Sequence, residues 1–396
     1  MYKVEIWHHG LNKYRVIKGK DQYIVFQKAE AQKLRWQEMW EKKQEQQAIY
    51  SEREKVAREK GELKLYADQL TKEAFGKLEI IENILKSALI NPIRIDWKSM
   101  KSTKDFTIPK PTIPETLRIP VKPNKHSEIY HSKQNVLNRW IKNEPAKHSD
   151  LYQQHYEHWE KSKRNIEKIN GENKKKYVEE LKEWEKKKQM FLQEQQAINV
   201  AIEQQIINYV QKNPSAIIEY YDILLATSNY PDWCPQEFDL DYYEQTETLI
   251  VNYLFPSFES MPTLLEVKFD PFENVFKEIH LPTNAQNKMY EHLLYQITLR
   301  TIYEIVHADQ VDAIKEIVLN GWIKTEDEKS MCVLTIKTTK EIFNEIHLAY
   351  FDSKTCFNQL NGIAGKRLHG LERVTPLMQT RQVDERFDES FNHNFV

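Results

Sequence analysis

Glycine and cysteine are both scarce in this chain, with 9 and 3 of them among 396 residues. So few glycines leave little room for tight turns and suit long helices. Cys234, Cys332 and Cys356 are too few and too scattered for a disulfide framework or a Cys-x-x-Cys zinc site, which points to a reducing, cytoplasmic setting. No sign of charge dominates: the formal net charge is -2, so nothing global marks a nucleic-acid or membrane partner. The start, Met-Tyr-Lys-Val-Glu-Ile, lacks the basic-then-apolar pattern of a secretory signal, and no apolar run is long enough to span a bilayer. Gly-x-Ser-x-Gly elbows, Rossmann glycine fingerprints and Walker A loops are missing as well.

What the chain has instead is long charged helix. Residues 27–90 hold no proline, and Ile49, Val56, Leu63 and Leu70 fall at intervals of seven, with Leu78, Ile81, Leu85 and Ala88 continuing the seam. Over 147–212 a second stripe runs through Tyr152, Tyr156, Trp159, Ile166 and Ile169, passes a bend suggested by Asn170-Gly171, and resumes at Tyr177, Leu181 and Trp184 until Pro214. Polar helices of this length need a mate. The simplest solution is a long antiparallel helical hairpin, a coiled-coil arm over 27–213, with each half burying the other's stripe. Between the halves, six of the 15 prolines, from Pro92 to Pro123, define an extended crossover over 91–125. It reads as an SH3-type ligand or, preferably, as a passage that wraps the arm.

The flanks differ in texture. Residues 2–8 and 13–17 alternate around Gly10 and Asn12, and Tyr23–Phe26 adds a further extended piece, so 1–26 should form a β-hairpin of two or three strands. From 214 to 379 short strands are expected at Phe238–Tyr242, Thr248–Leu254 and Leu264–Phe269. A helix follows over 287–306, then a hairpin of Ile317–Ile323 with Cys332–Lys337 turning through 325–329, and two short helices near 340–349 and 353–360. The whole is an α+β fold with an antiparallel sheet in its C-terminal head. Residues 380–396 read as a loosely held polar tail.

Chemistry-bearing groups are few. Glu266 and Lys268 share a predicted strand with Asp239 or Asp241 upstream, the residue types of a metal-dependent PD-(D/E)xK nuclease site made of Asp241, Glu266 and Lys268. The plainer reading, an amphipathic strand with Leu265, Val267 and Phe269 inward, is preferred. His155 and His158 lie one helical turn apart without a third ligand, and His8-His9, His126 and His131 are weaker still, so no metal ligands are assigned. Lys174–Lys176 and Lys186–Lys188 are interleaved with Glu179, Glu180, Glu183 and Glu185, as on a solvated salt-bridged face. The best local binding signal is Leu360–Leu368. Gly362 and Gly365 could bring backbone amides to a DNA phosphate while Lys366 and Arg367 add charge, although a structural glycine turn is the preferred reading. The stretch looks like the hairpin of a helix-hairpin-helix module, with Ala364 in place of a second glycine.

Several segments carry a wider likeness: YKVEIWHHGLNKYRVIKG at 2–19, WKSMKSTKDFTIPKPTIPE at 97–115, FDLDYYEQTETLIVNYLFPSFESMPTLLEVK at 238–268, LYQITLRTIYEIVHADQVDAIKEIVLNGWI at 294–323 and CFNQLNGIAGKRLHGLERVTPL at 356–377. In texture and order these resemble the non-catalytic N-terminal part of bacterial Mrr-type restriction endonuclease-like proteins with a long coiled coil. Proteins of that kind continue into a PD-(D/E)xK domain, which would begin at about Val396 if this chain is part of a longer one and would be missing if it is a stand-alone relative; Mg2+ would belong to that domain or a partner, with no cofactor in these residues. The resemblance carries over no catalytic residue. It implies a scaffold and regulatory module of a restriction or anti-phage system: a homo-oligomer through the helical arm, with a nuclease partner, contact with DNA and none with membrane. The alternatives are a coiled-coil assembly protein with no nucleic-acid role and a metal-dependent nuclease.

Overall fold

The computed structural model describes residues 2–20, 22–97, 100–127, 146–325, 330–370, 372–382 and 384–388. The chain divides into two units, 1–100 with 201–396 and 101–200, so the N-terminal hairpin and first helices belong with the C-terminal head.

In the first unit, β1 (Tyr2–His8) and β2 (Lys13–Gly19) pair antiparallel, with Tyr2 opposite Gly19 and His8 opposite Lys13. The expected third strand at 23–26 is instead the first turn of α1 (Gln22–Lys60). Val25, Ala29 and Trp36 line one side of that helix and pack on Ile6 and Ile17, so burial along a helical face overrides the β preference of Tyr-Ile-Val-Phe. At Gly61, φ is +71°, and this left-handed residue ends α1: its N–H donates to Arg58 O at 3.4 Å and that of Glu62 to Ala57 O at 2.9 Å. α2 (Leu63–Glu82) folds back, Tyr66 Oη donating to Tyr50 O at 3.1 Å and Arg53 pairing with Glu73 at 3.1 Å. The seam from Ile49 to Leu70 therefore straddles a turn, and antiparallel helix pairing occurs here over a shorter span than expected. A second break at Asn83 starts α3 (Ile84–Ile90).

In the second unit, residues 102–123 form an extended strap along α4 (Ala146–Val210). Side chains of α4 bind strap main chain from one end of the strap to the other. Asn199 brackets Ser102 (2.8 and 3.2 Å), Gln195 donates to Lys104 O (2.8 Å) and Trp184 to Ile108 O (2.8 Å). Asn170 brackets Leu117 (2.9 and 3.0 Å), and Trp159 donates to Pro120 O (2.8 Å). From Asn199 to Trp159 the helix advances about 60 Å at 1.5 Å per residue. The strap from Ser102 to Pro120 covers it at about 3.3 Å per residue, the rise of a fully extended chain. The partner of the α4 stripe within this unit is thus the proline-rich passage. Asn170-Gly171 makes no bend: the helix runs straight through it, and the Asn170 amide serves the strap.

Pro214 does not only stop a helix. With Lys212 left-handed (φ 55°), Asn213 accepting from Ser215 N at 3.1 Å and Pro214 in the first turn, it opens α5 (Pro214–Thr227). Beyond lie β3 (Glu237–Tyr243), β4 (Thr248–Leu254), β5 (Leu264–Asp270), β6 (Val275–His280), α6 (Thr283–Ala308), β7 (Glu316–Lys324), β8 (Ser330–Thr339), α7 (Lys340–Glu345), α8 (Ser353–Gln359) and β9 (Ile363–Ala364). The main sheet runs β3-β4-β7-β8-β9; β4 and β7 are parallel and the other neighbours antiparallel. β5 and β6 form a separate hairpin, and Thr71 of α2 bonds Val267 of β5 in both directions (2.9 and 3.2 Å). The crossover helix α6 is buried along most of its length. Its Gln296 accepts from Leu85 N (3.0 Å) and donates to Ile81 O (2.8 Å), supplying main-chain partners on either side of the break at Asn83. The fold is α+β. No helix among the described residues is long and apolar enough to cross a membrane.

Candidate functional site

The three candidate nuclease residues do not converge. Asp241 lies on β3 of the five-stranded sheet, whereas Glu266 and Lys268 lie on β5 of the two-stranded one. Asp241 accepts from Arg381 N (2.7 Å) and Nε (3.1 Å), and Glu266 pairs with Lys268 at 3.0 Å. Each candidate charge already has a partner. Among the described residues no three His, Cys, Asp or Glu side chains stand where they could hold a metal ion together. His155 and His158 are exposed on α4, His8 Nδ1 accepts from Leu11 N at 3.3 Å, and His131 and residues 326–329 lie outside the described residues. Cys234, Cys332 and Cys356 are buried free thiols; burial pushes the Cys332 thiol up to about 12.

The glycine-rich turn is structural, the preferred reading, and not a helix-hairpin-helix: it is a helix cap leading into a strand. α8 ends with Asn361 left-handed (φ 55°), its N–H donating to Asn358 O (3.0 Å) while Gly362 N–H donates to Phe357 O (3.0 Å). A Cβ on Gly362 would lie 2.3 Å from the Phe357 ring, which is why glycine stands there. β9 then pairs with β8, Gly365 N–H donates to Val333 O (3.0 Å) and Lys366 N–H to a Glu372 carboxylate oxygen (2.6 Å). The amides proposed for a phosphate are therefore taken. The Lys366 and Arg367 side chains remain exposed.

A cluster of buried, paired charges lies elsewhere. Glu237, Asp239 and Asp241 alternate along β3, so their carboxylates share one face of the sheet. Lys18 of β2 reaches Asp239 at 2.9 Å and Asp384 at 3.0 Å. Arg386 binds Asp384 through both Nε and a terminal nitrogen (3.1 Å each), faces Glu237 at 3.8 Å and donates to Phe238 O at 3.3 Å. Arg381 completes the row on Asp241. These contacts fasten residues 380–382 and 384–388 to the sheet and to the N-terminal hairpin. Thr380, Arg386 and Phe387 are buried. The expected loose tail is thus pinned as far as Asp388; 389–396 lie outside the described residues. We call this arrangement the ionic latch.

Its electrostatics are uneven. Burial raises Glu237 and Asp239 above the usual carboxylate range. Burial would raise Asp384 too, but the Arg386 bonds and Lys18 outweigh it and hold the group well below that range. Asp241 is lowered because the bonds from Arg381 overcome its burial. Beside the latch a cleft of about 430 Å³ is bordered by Lys18, Glu219, Asp239, Asp241 and Arg381. Lys18 and Asp239, and Arg381 and Asp241, are already paired, and Glu219 accepts from Gln205, which suits holding chain segments together better than performing a reaction. Sequence reasoning found Asp239 and Asp241 but set them beside Glu266 and Lys268; the available signal for their actual partners was the Glu-x-Asp-x-Asp alternation facing the Arg-x-x-Asp-x-Arg spacing of Arg381, Asp384 and Arg386. No family model, curated protein or solved structure matches the chain.

Proposed function

We propose that the chain is a scaffold and regulatory module of an Mrr-like restriction or anti-phage nuclease system, in which the ionic latch fixes the position of the segment leading toward the nuclease. The observation that carries this reading is the binding of residues 380–388 to β3 and β2 through Lys18, Asp239, Asp384 and Arg386. In proteins of the kind this sequence resembles, that segment precedes the catalytic domain. A latch made of ionic bonds can be opened by a competing charge, whereas a purely apolar seam cannot. The second unit supplies a self-association surface: Val121 (94 % exposed) and Ile113 (79 %) on the strap and Met190 (59 %) on α4 present apolar surface. Lys366 and Arg367 contact DNA as side chains alone.

Light scattering on the full chain tests the assembly, with Val121→Glu/Met190→Glu expected to reduce the oligomer. Duplex titration at low and moderate salt tests the nucleic-acid contact, with Lys366→Ala/Arg367→Ala expected to lower the salt slope by roughly 2. A chain that is monomeric and also indifferent to duplex DNA at low salt overturns the proposal.

A further inference from the structure

A second cleft, of about 420 Å³, opens between β2, the first turns of α1, the segment after α3, and α5. Four cations line it: Arg15 from β2, Lys28 and Arg35 from α1, and Arg94. Lys28, Gln32 and Arg35 stand at i, i+4 and i+7 and so share a helix face. Only Asp96 and Asp222 oppose these cations in the lining, leaving two positive charges over. Asp222 is itself shared, with Arg15 at 3.0 Å and Lys28 at 3.4 Å. Arg35 donates to the main-chain carbonyls of Ala226 and Ser228, which bring no counter-charge. Arg94 is exposed, with no ion-pair or hydrogen-bond partner among the described residues. Burial and then Arg15 push Arg35 below its ordinary pKa, with Asp232 opposing them. Outside the lining, Lys13 and Asp232 offset one another and leave the surplus as it is: the buried Lys13 ammonium lacks a hydrogen-bond partner among the described residues, and its pKa is lowered by burial against the pull of Asp232. Between the charges the wall is apolar, formed by Ile17, Ile93 and Ile223.

We propose that this cleft binds a small phosphate ester the size of a mononucleotide, its phosphate held by Arg35 and Arg94 and its organic part resting on the isoleucine wall. A phosphate monoester carries about -1.5 to -2 at neutral pH, which matches the surplus, whereas a single carboxylate meets only half of it. Arginine forks engage phosphate oxygens two at a time. The volume lies near the lower end of the range for small-molecule sites, roughly 300 to 1,000 Å³, so one nucleotide is accommodated and a long polymer is not. The inference is independent of the nuclease reading and of the latch.

Isothermal titration of the full chain with AMP, adenosine and inorganic phosphate at about 50 mM salt tests it, where charge is only partly screened. AMP is expected to bind saturably and adenosine not to bind. Arg94→Glu, an exposed substitution, should weaken AMP about tenfold or more while leaving the melting temperature unchanged. Arg35→Gln should do the same; because it also removes bonds to α5, Arg94→Glu is the deciding variant if Arg35→Gln fails to fold. A 5′-phosphorylated oligonucleotide compared with its 5′-hydroxyl form locates the source. Preference for the phosphorylated end over AMP makes it a nucleic-acid terminus, and the reverse makes it a free nucleotide; both sustain the phosphate-ester site. The proposal is overturned if neither AMP nor phosphate binds at millimolar concentration, if adenosine binds as well as AMP, or if Arg94→Glu leaves AMP binding unchanged.

Discussion

The two units satisfy their polar groups in opposite ways. In the first, charged side chains sit inside and neutralise one another across the sheet, the N-terminal hairpin and residues 380–388. In the second, side-chain amides and indoles of α4 bind a proline-rich main chain that has few donors of its own, and the charges stay in solvent. Buried ion pairs cost desolvation, so removing one partner is far more damaging than the pair is stabilising. Amide-to-carbonyl bonds at a half-exposed seam are individually modest, at about 0.5–1.5 kcal/mol each, and gain their effect by repetition. The comparison teaches that loss of one residue should disable the first arrangement as a whole and damage the second only where it falls.

Arg386→Ala gives the sharpest test. It leaves the buried Asp384 without its main counter-charge and Glu237 with Lys324 alone, and should cost about 3–5 kcal/mol in urea unfolding. A cost below about 1 kcal/mol would show that the latch is dispensable. Adding Asp384→Asn and Glu237→Gln should recover a large share, since the stranded charges then vanish.

Acid acts on the same charges in two directions. Glu237 and Asp239 have raised values in the folded chain, so acidification from neutral toward about pH 4 protonates them there first and favours the folded form. Asp384 and Asp241 are lowered; their contribution is complete above the unfolded carboxylate value of about 3.9 and is lost as pH falls beneath it. Hydrogen-exchange protection of 380–388 should therefore peak in mild acid and collapse below about pH 4. A monotonic decline from neutral pH would contradict the raised pair.

On the second unit, Trp184→Ala removes the bond to Ile108 O and the ring contact with Phe106. The indole is only half-buried, so the expected cost is about 1–2 kcal/mol, less than for a core tryptophan. Proteolysis should find new cuts within 104–112 while the first unit melts unchanged. Global unfolding would erase the contrast between the units.

These contrasts were unevenly legible in the sequence. Alternation and turn residues located β1 to β5, β7 and β8, because local periodicity controls strand formation. The helix breaks were harder to read: Gly61 is conspicuous, but the break at Asn83 is completed by Gln296, more than 200 residues later. Pro214 looked like an end because it stops α4, although a proline after asparagine is equally a helix start. Of the latch only the alternation along β3 and the spacing of Arg381, Asp384 and Arg386 were readable, and of the cationic cleft nothing, since Lys18 and Asp384, or Arg35 and Arg94, come together only through tertiary packing.

A smaller effect is expected at Gly61→Ala. With φ at +71°, a Cβ meets no neighbour but must adopt left-handed backbone, at about 1–2 kcal/mol. Gly61→Asn should cost less, because asparagine tolerates that region; equal costs would mean that something other than backbone strain limits the turn.

The smallest effect belongs to the surface of α4. Lys176 and Glu180 are 3.8 Å apart with their side chains 76 % and 51 % exposed, a solvent-screened i, i+4 pair. Such pairs contribute roughly 0.3–0.5 kcal/mol, and salt reduces that further. Lys176→Ala should accordingly change the helical signal and the unfolding midpoint by no more than this, and the difference should disappear at about 1 M salt. A larger or salt-resistant loss would mean that this face of the helix is covered in solution, and would move the self-association surface from the apolar residues of the strap to the charged side of α4.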